Sequence, residues 1–265
     1  MTLFEGLKFI KKQSNDYVTR ELLSFHTGFS KEELLLNLDK ELNNKEALFA
    51  LLNRYKNYEP LEYITGRAEF LDREFYVEKG VLIPRFESEI LVKKSLELIK
   101  KESLNSVFEI GIGSGVLSIS LKLENANLSL FASDISKTAL KVSKINQDKF
   151  QTDILLFEGE YLANFCGNVD LIISNPPYIK NSYKLDEYVL NEPKEALFGG
   201  VNGDEILKNI IDIAKTRAKF LICEIGYDQK PQLLEYLEKS GFSSTFYKDL
   251  QGFDRGFVAR NKFAI

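Results

Sequence analysis

Phe108-Glu109-Ile110-Gly111-Ile112-Gly113-Ser114-Gly115 decides the fold. An apolar run breaks into three glycines at alternating positions and then resumes with helical periodicity. A buried strand must therefore pass through a tight turn straight into a helix. Lacking Cβ atoms, the glycines let the backbone approach a ligand closely at the carboxyl edge of a sheet. A single turn of this kind is also an ordinary strand-helix connection, so the flanking pattern has to carry the reading. Strands are expected near 105–110, 128–133, 153–158, 169–174 and 219–224, with helices near 115–124, 136–149, 204–217 and 229–240. Such alternation predicts a doubly wound, mainly parallel α/β sheet. Phe242–Lys248 and Gly256–Phe263 follow with no helix between them, which predicts a terminal antiparallel hairpin.

The expected strand ends line up chemically. The second closes on Phe131-Ala132-Ser133-Asp134, where a carboxylate can accept from both hydroxyls of a ribose. Asp134 also fits a cap for the helix starting near Ser136. The third ends in Glu158-Gly159-Glu160-Tyr161, where a side chain can flank a flat ring, although Tyr161 alone also reads as packing. The fourth ends at Asn175, and all four ends share the edge along which open α/β sheets bind ligands.

Val169-Asp170-Leu171-Ile172-Ile173-Ser174 runs into Asn175-Pro176-Pro177-Tyr178. Pro176 and Pro177 donate no N–H, fix their own φ and bias the preceding residues away from helix. The result is a stiff corner whose carbonyls and Asn175 amide have no ladder partner. It suits a planar NH2 group, with acceptors for both hydrogens and an aromatic face beside the plane. An ordinary Asn-Pro turn explains these residues taken alone; the cofactor-like edge upstream favours chemistry.

Composition excludes several classes. The chain has 265 residues and 44% apolar content, enough for one large domain and a small second one. Two cysteines, Cys166 and Cys223, lie in or beside apolar runs and predict buried free thiols in a reducing compartment. No apolar stretch approaches the roughly 20 residues that span a bilayer, and Met1 to Lys12 lacks a signal-peptide layout. A cytoplasmic protein without membrane contact is expected. Net charge is −4, and no basic patch stands out, which weighs against a nucleic-acid substrate. No metal site is expected.

Residues 2–57 read as helices only, with Leu3, Leu7 and Ile10, then Leu22, Leu23 and Phe25, then Leu48, Leu51, Leu52 and Tyr55 at helical spacing. Ser30-Lys31-Glu32-Glu33 reads as a capping box. His26, the only histidine, is isolated and reads as packing or surface. From Arg67 to Ile83, β-formers alternate around Leu71-Asp72 and Lys79-Gly80, predicting one or two hairpins; helical periodicity returns over 86–101.

The spacing G-x-G-x-G, with Val116 where a dinucleotide fingerprint needs its last glycine, resembles the first motif of S-adenosylmethionine-dependent methyltransferases. Glu109 fits the acidic residue those enzymes place before the glycines. Asn-Pro-Pro-Tyr occurs in enzymes that methylate an exocyclic or amide nitrogen, leaving adenine in nucleic acid or glutamine in protein as acceptors. Glu62-Tyr63-Ile64-Thr65-Gly66 and Leu82-Ile83-Pro84-Arg85-Phe86-Glu87-Ser88-Glu89 closely resemble the linker and entry helix of the PrmC/HemK family, the peptide chain release factor glutamine methyltransferases. Glu192-Pro193, Ala196-Leu197, Gly199-Gly200, Glu224-Ile225-Gly226, Gln229, Asp249, Gly252, Asp254 and Arg255 match as well, so the resemblance covers almost all of 60–260. The family usually has Pro and Thr where this chain has Phe86 and Ser88.

The resemblance implies a seven-stranded class I methyltransferase sheet with a terminal antiparallel hairpin. It implies a helical substrate-recognition domain over 1–58, a β-hairpin linker over 59–85 and the methyltransferase domain over 86–265. It implies S-adenosyl-L-methionine as cofactor, S-adenosyl-L-homocysteine as product, and a monomer acting on the Gly-Gly-Gln glutamine of class I release factors. A ribosomal-protein glutamine is the alternative acceptor. Cofactor contacts are expected from Glu109, Gly111, Ile112, Gly113, Ser114, Gly115, Asp134, Tyr161 and Asn175, and catalysis and acceptor binding from Asn175, Pro176, Pro177 and Tyr178. Arg85, Glu87 and Glu89 read as braces over the cofactor or as surface ion pairs. Glu192 and Glu224 read as structural before rim-lining, and Asp254-Arg255 as closing the hairpin.

Overall fold

A computed structural model describes residues 1–263. The chain divides into two compact units, Met1–Arg67 with Asp186–Asn191, and Ala68–Leu185 with the residues from Glu192 onward.

The first unit is helical because caps and apolar stripes coincide. Helix α1 (Leu3–Lys11) opens on a Thr2/Glu5 capping box and α2 (Asp16–Thr27) on Asn15, whose side chain accepts from Val18 N–H. The Ser30/Glu33 box opens α3 (Lys31–Leu36), as its spacing predicts, and Asn44 opens α4 (Lys45–Lys56). Pro60 precedes the short α5 (Leu61–Thr65). Their inward faces bury Leu3, Ile10, Leu22, Leu23, Leu48 and Leu52. His26 Nε2–H donates to the Asn43 carbonyl at 2.8 Å, a structural contact. The Tyr188 ring lies 5.5 Å from Tyr55 and 5.4 Å from Tyr58.

The second unit begins with one hairpin, β1 (Arg67–Phe70) and β2 (Arg73–Tyr76). Leu71 and Asp72 turn it with φ of 48° and 57°, the two left-handed residues of a type I′ loop. Lys79-Gly80 makes only a turn, so one hairpin forms. Next come α6 (Ser88–Glu102), β3 (Ser106–Ile110), α7 (Val116–Glu124), β4 (Ser129–Asp134), α8 (Lys137–Phe150), β5 (Leu155–Glu158) and β6 (Val169–Ser174). The short strands β7 (Ile179–Lys180) and β8 (Phe198–Gly200) pair with each other, apart from the main sheet. Helix α9 (Glu205–Arg217), β9 (Ala218–Glu224), α10 (Lys230–Lys239), β10 (Phe242–Lys248) and β11 (Asp254–Asn261) complete the chain.

Seven strands form the main sheet in the order β10-β11-β9-β6-β3-β4-β5. The five from β9 to β5 are parallel, while β11 runs antiparallel to β9 and to β10. This is the class I methyltransferase architecture. Central β6 is apolar on both faces because each is covered: Leu171 and Ile173 join a core with α6 and α7, whereas Ile172 joins one with α9 and α10. After β5 the chain returns to the other side of β3. This reversal opens a crevice between the carboxyl ends of β3 and β6, the position where such sheets bind ligands. No helix among the described residues is long and apolar enough to cross a membrane. Cys223 is buried, as its apolar run predicts, but Cys166 is exposed in the turn before β6, where the neighbouring apolar residues do not cover it.

Candidate functional site

The glycine turn forms one wall of the crevice. Gly111, Gly113 and Gly115 have φ of 78°, 55° and 87°, a region costly for any residue with a Cβ. Added Cβ atoms at Gly111 and Gly113 would meet nothing within 4 Å, so both backbones face open space. At Gly115 a Cβ would lie 3.0 Å from Ile119 Cδ1 and 3.3 Å from Ser143 Cβ, so this third glycine serves packing instead. The Ser133 carbonyl ties the loop down by accepting from Gly111 N–H at 2.9 Å and Ile112 N–H at 3.0 Å. Glu109 is buried beneath it and accepts from the Ser118 N–H at 3.0 Å and from the Ser118 hydroxyl. Burial pushes its carboxyl up to about 8, against the lowering effect of those two donors.

Asp134 stands opposite. Its Oδ2 accepts from Gly113 N–H at 3.0 Å and its Oδ1 from Ser136 N–H at 2.8 Å. Ser136 itself caps α8 by accepting from Ala139 N–H, so Asp134 is not the helix cap. Burial raises its carboxyl above the ordinary value. Tyr161 adopts φ 52°, its carbonyl accepts from the Ser133 hydroxyl, and its own hydroxyl accepts from Asn209 Nδ2 at 2.8 Å. Gly111, Gly113, Asp134, Tyr161, Asn175, Pro176 and Pro177 line one cavity, walled on its apolar side by Val81, Ile135, Ala139, Ile206 and Ile210. A smaller cavity adjoins it, lined by Arg85, Ser88, Glu109, the turn from Gly111 to Ser114, and again Asn175. Gly115 lines neither.

At the β6 corner, Ser174 donates to the Ile110 carbonyl at 2.7 Å and holds β6 to β3 just before Asn175. Asn175 Nδ2 donates to Ser88 Oγ at 2.9 Å, and Ser88 Oγ donates to Glu224 Oε2 at 2.6 Å. The other Glu224 oxygen accepts from the Tyr178 hydroxyl at 2.9 Å. Among the described residues, Asn175 Oδ1 and the Pro176 carbonyl take no hydrogen bond. Burial raises the Glu224 carboxyl above its ordinary value, while the two hydroxyls and the facing Arg255 guanidinium oppose that rise. Tyr178 is pushed upward by burial and by Glu224, so its phenol keeps its proton. Among the described residues, no cluster of side chains is arranged to hold a metal ion.

The Methyltransferase small domain family matches residues 87–200, and the PrmC N-terminal domain family matches residues 5–66. The release factor glutamine methyltransferase of Aquifex aeolicus is 34% identical over 95% of this chain and 94% of its own length. Its counterpart from Bacillus subtilis is 32% identical over 97% of each. The chain belongs to the release factor glutamine methyltransferase family. The fold is shared more widely: the ribosomal protein L11 methylase of Lactobacillus delbrueckii subsp. bulgaricus superposes with a TM-score of 0.51 at 21% identity, covering 70% of this chain and 84% of that one.

Several side chains of this family member hold the site in ways the sequence left open. Glu192 is buried and accepts from Ile83 N–H at 2.9 Å while pairing with Arg85, so it fastens the segment ahead of α6. Glu89 instead accepts from Leu71 N–H at 3.0 Å and braces the hairpin turn, away from the crevice. Glu87 precedes α6 without a side-chain cap bond. Asp254 pairs with Lys230 at 3.2 Å, and Arg255 binds Asp249 at 2.9 Å within the hairpin while also facing Glu224 and Tyr178. Sequence reading missed Ser88 as a partner of Asn175. The one signal was that Ser88 stands where the family usually carries another hydroxyl residue.

Proposed function

We propose that this protein transfers a methyl group from S-adenosylmethionine to the side-chain amide nitrogen of the Gly-Gly-Gln glutamine in class I peptide chain release factors. The observation carrying this reading is the corner itself, where two free acceptors, Asn175 Oδ1 and the Pro176 carbonyl, belong to residues lining the larger cavity, and Asn175 lines the smaller one as well. The crevice fits the cofactor. Two glycines with empty space where Cβ atoms would lie leave room for its methionine end, and Asp134 beside an apolar wall suits a ribose and adenine. Gly111, Gly113 and their neighbours Ile112 and Ser114 would hold the amino-acid portion, with Glu109 beneath the turn and Tyr161 flanking the ring. Bound there, the cofactor supplies an electrophilic methyl on a sulfonium.

The residues of the corner meet the difficulty of the acceptor. An amide nitrogen is a poor nucleophile because its lone pair is delocalised into its carbonyl. Asn175 Oδ1 and the Pro176 carbonyl accept one N–H each, which favours a pyramidal nitrogen with its lone pair turned toward the methyl. The nitrogen gains the methyl and gives up one proton to solvent. No side chain in the corner is basic enough to remove that proton first, so catalysis rests on positioning and preorganised dipoles. Pro177 keeps the corner stiff. Tyr178, with its hydroxyl fixed by Glu224, presents a ring that cannot swing.

The helical unit would grip the body of the factor, a reading supported by its exposed Phe4, Tyr17 and Leu36 and its lack of chemistry-bearing groups. An acceptor panel tests the proposal: labelled S-adenosylmethionine with a release factor, a ribosomal-protein candidate, DNA and RNA. The release factor should be labelled fastest. Faster labelling of any other member overturns the assignment.

A further inference from the structure

We propose that Ser88 and Glu224 are positioning residues that decide which way round the Asn175 amide faces the acceptor. The inference rests on the reading above, in which Asn175 must present oxygen. An asparagine side chain is nearly symmetric in shape but not in chemistry: one end accepts and the other donates. Turned the wrong way, it would set its own NH2 against the NH2 of the substrate, and the contact that favours a pyramidal nitrogen would become repulsive.

The chain of bonds forbids that orientation. Glu224 is 1% exposed at the end of β9, and each of its two oxygens accepts from a hydroxyl. The Tyr178 hydroxyl occupies one of its oxygens, and the Ser88 hydroxyl at 2.6 Å gives its single proton to the other. Ser88 Oγ can then only accept from Asn175, so the NH2 end must point inward and Oδ1 outward, consistent with the 2.9 Å contact from Nδ2. Arg255 faces both Glu224 and Tyr178, and its positive charge opposes the burial that raises the Glu224 carboxyl. Ser88 is 2% exposed in the first turn of α6, so water does not substitute for it. Polarity thus runs in one direction, from the Arg255 side of the sheet to the amide at the crevice. Neither Ser88 nor Glu224 touches the acceptor in this scheme; each acts through Asn175.

The test compares S88A, S88T and E224Q in the full-length protein with a release factor as acceptor. S88A should lower kcat by about five- to thirtyfold, the effect of one lost hydrogen bond to a buried group, with KM for the factor and cofactor affinity within about twofold. S88T, which restores the hydroxyl, should recover most of kcat. E224Q keeps one acceptor where two hydroxyls need it and should resemble S88A, which also covers failure of S88A to fold. A second readout needs no substrate: in 15N-asparagine-labelled protein, the Asn175 side-chain amide protons should exchange with solvent faster in the variants than in wild type. A kcat for both S88A and E224Q within twofold of wild type, an S88T as slow as S88A, a loss confined to KM, or unchanged amide exchange overturns the inference. If wild type labels no glutamine, the functional reading fails separately, and amide exchange still decides the bond.

Discussion

Asp134→Ala should uncouple cofactor affinity from stability. The carboxylate accepts from Gly113 and Ser136 N–H groups at 3.0 and 2.8 Å, so its removal frees two donors on the rim of the crevice. The glycine turn keeps its two bonds to the Ser133 carbonyl and should hold its shape. Stability gains something in return, because burial raises the Asp134 carboxyl: the folded state disfavours its charge, and the penalty grows as pH rises through the folded value. The melting temperature should therefore move by only a few degrees. Affinity should not be spared. A hydrogen bond between a carboxylate and a ribose hydroxyl is worth about 1.5–3 kcal/mol, a weakening of roughly 10- to 150-fold. Titration calorimetry with S-adenosylhomocysteine, alongside thermal melts, measures both quantities. Asp134→Asn, which keeps one acceptor, should fall between. Wild-type affinity in Asp134→Ala would show that this carboxylate serves only the turn, and the ribose assignment would be wrong.

Gly113→Ala and Gly115→Ala should differ in kind: both are strained by their positive φ, but only the first also points its methyl into the crevice and should weaken cofactor binding, while the second meets Ile119 and Ser143 and should lower the melting temperature further. Equal effects on binding would contradict that division. Glu109, lifted to about 8, is protonated in the free protein at neutral pH, so a cationic ligand in the adjoining cavity should expel a proton. Cofactor affinity should rise from neutral pH to about 8 and then level, while the Glu109 contribution to stability declines from about 4.5 to about 8. Calorimetry in buffers of different ionisation enthalpy checks this, and identical buffer dependence in Glu109→Gln would refute it. Deleting residues 1–57 should leave a folded, cofactor-binding protein that methylates intact release factor poorly; full activity after the deletion would remove the helical unit from substrate recognition.

The sheet was legible because each strand-helix passage is written locally, in an apolar run, a turn and a helical stripe. The glycine turn and the Asn-Pro-Pro corner were equally legible, since Gly and Pro set backbone geometry on their own. What the sequence hid were partnerships across the sheet. Ser88, Asn175 and Glu224 lie on α6, the β6 corner and β9, and nothing in a linear pattern brings three such distant residues together. Tyr178 read as an aromatic face, and only the structure shows its hydroxyl committed to Glu224. The pairing of β7 with β8 involves two short segments with weak strand character, too brief for periodicity to reveal. Cys166 is the converse case, because its apolar neighbours in sequence do not cover it in space.

The central claim is that the corner at Asn175 methylates one glutamine amide. Mass-spectrometric mapping of a release factor after reaction tests it most directly, using wild type and Asn175→Ala enzymes, and wild-type and Gln→Asn factor loops. A single methyl on the side-chain nitrogen of the Gly-Gly-Gln glutamine is predicted. The rate should fall by about 10²–10³ with Asn175→Ala, as for loss of one preorganised polar group. No label should reach the Gln→Asn factor, whose amide is drawn back by one methylene. A methyl on any other residue, or undiminished labelling with either substitution, would contradict the account.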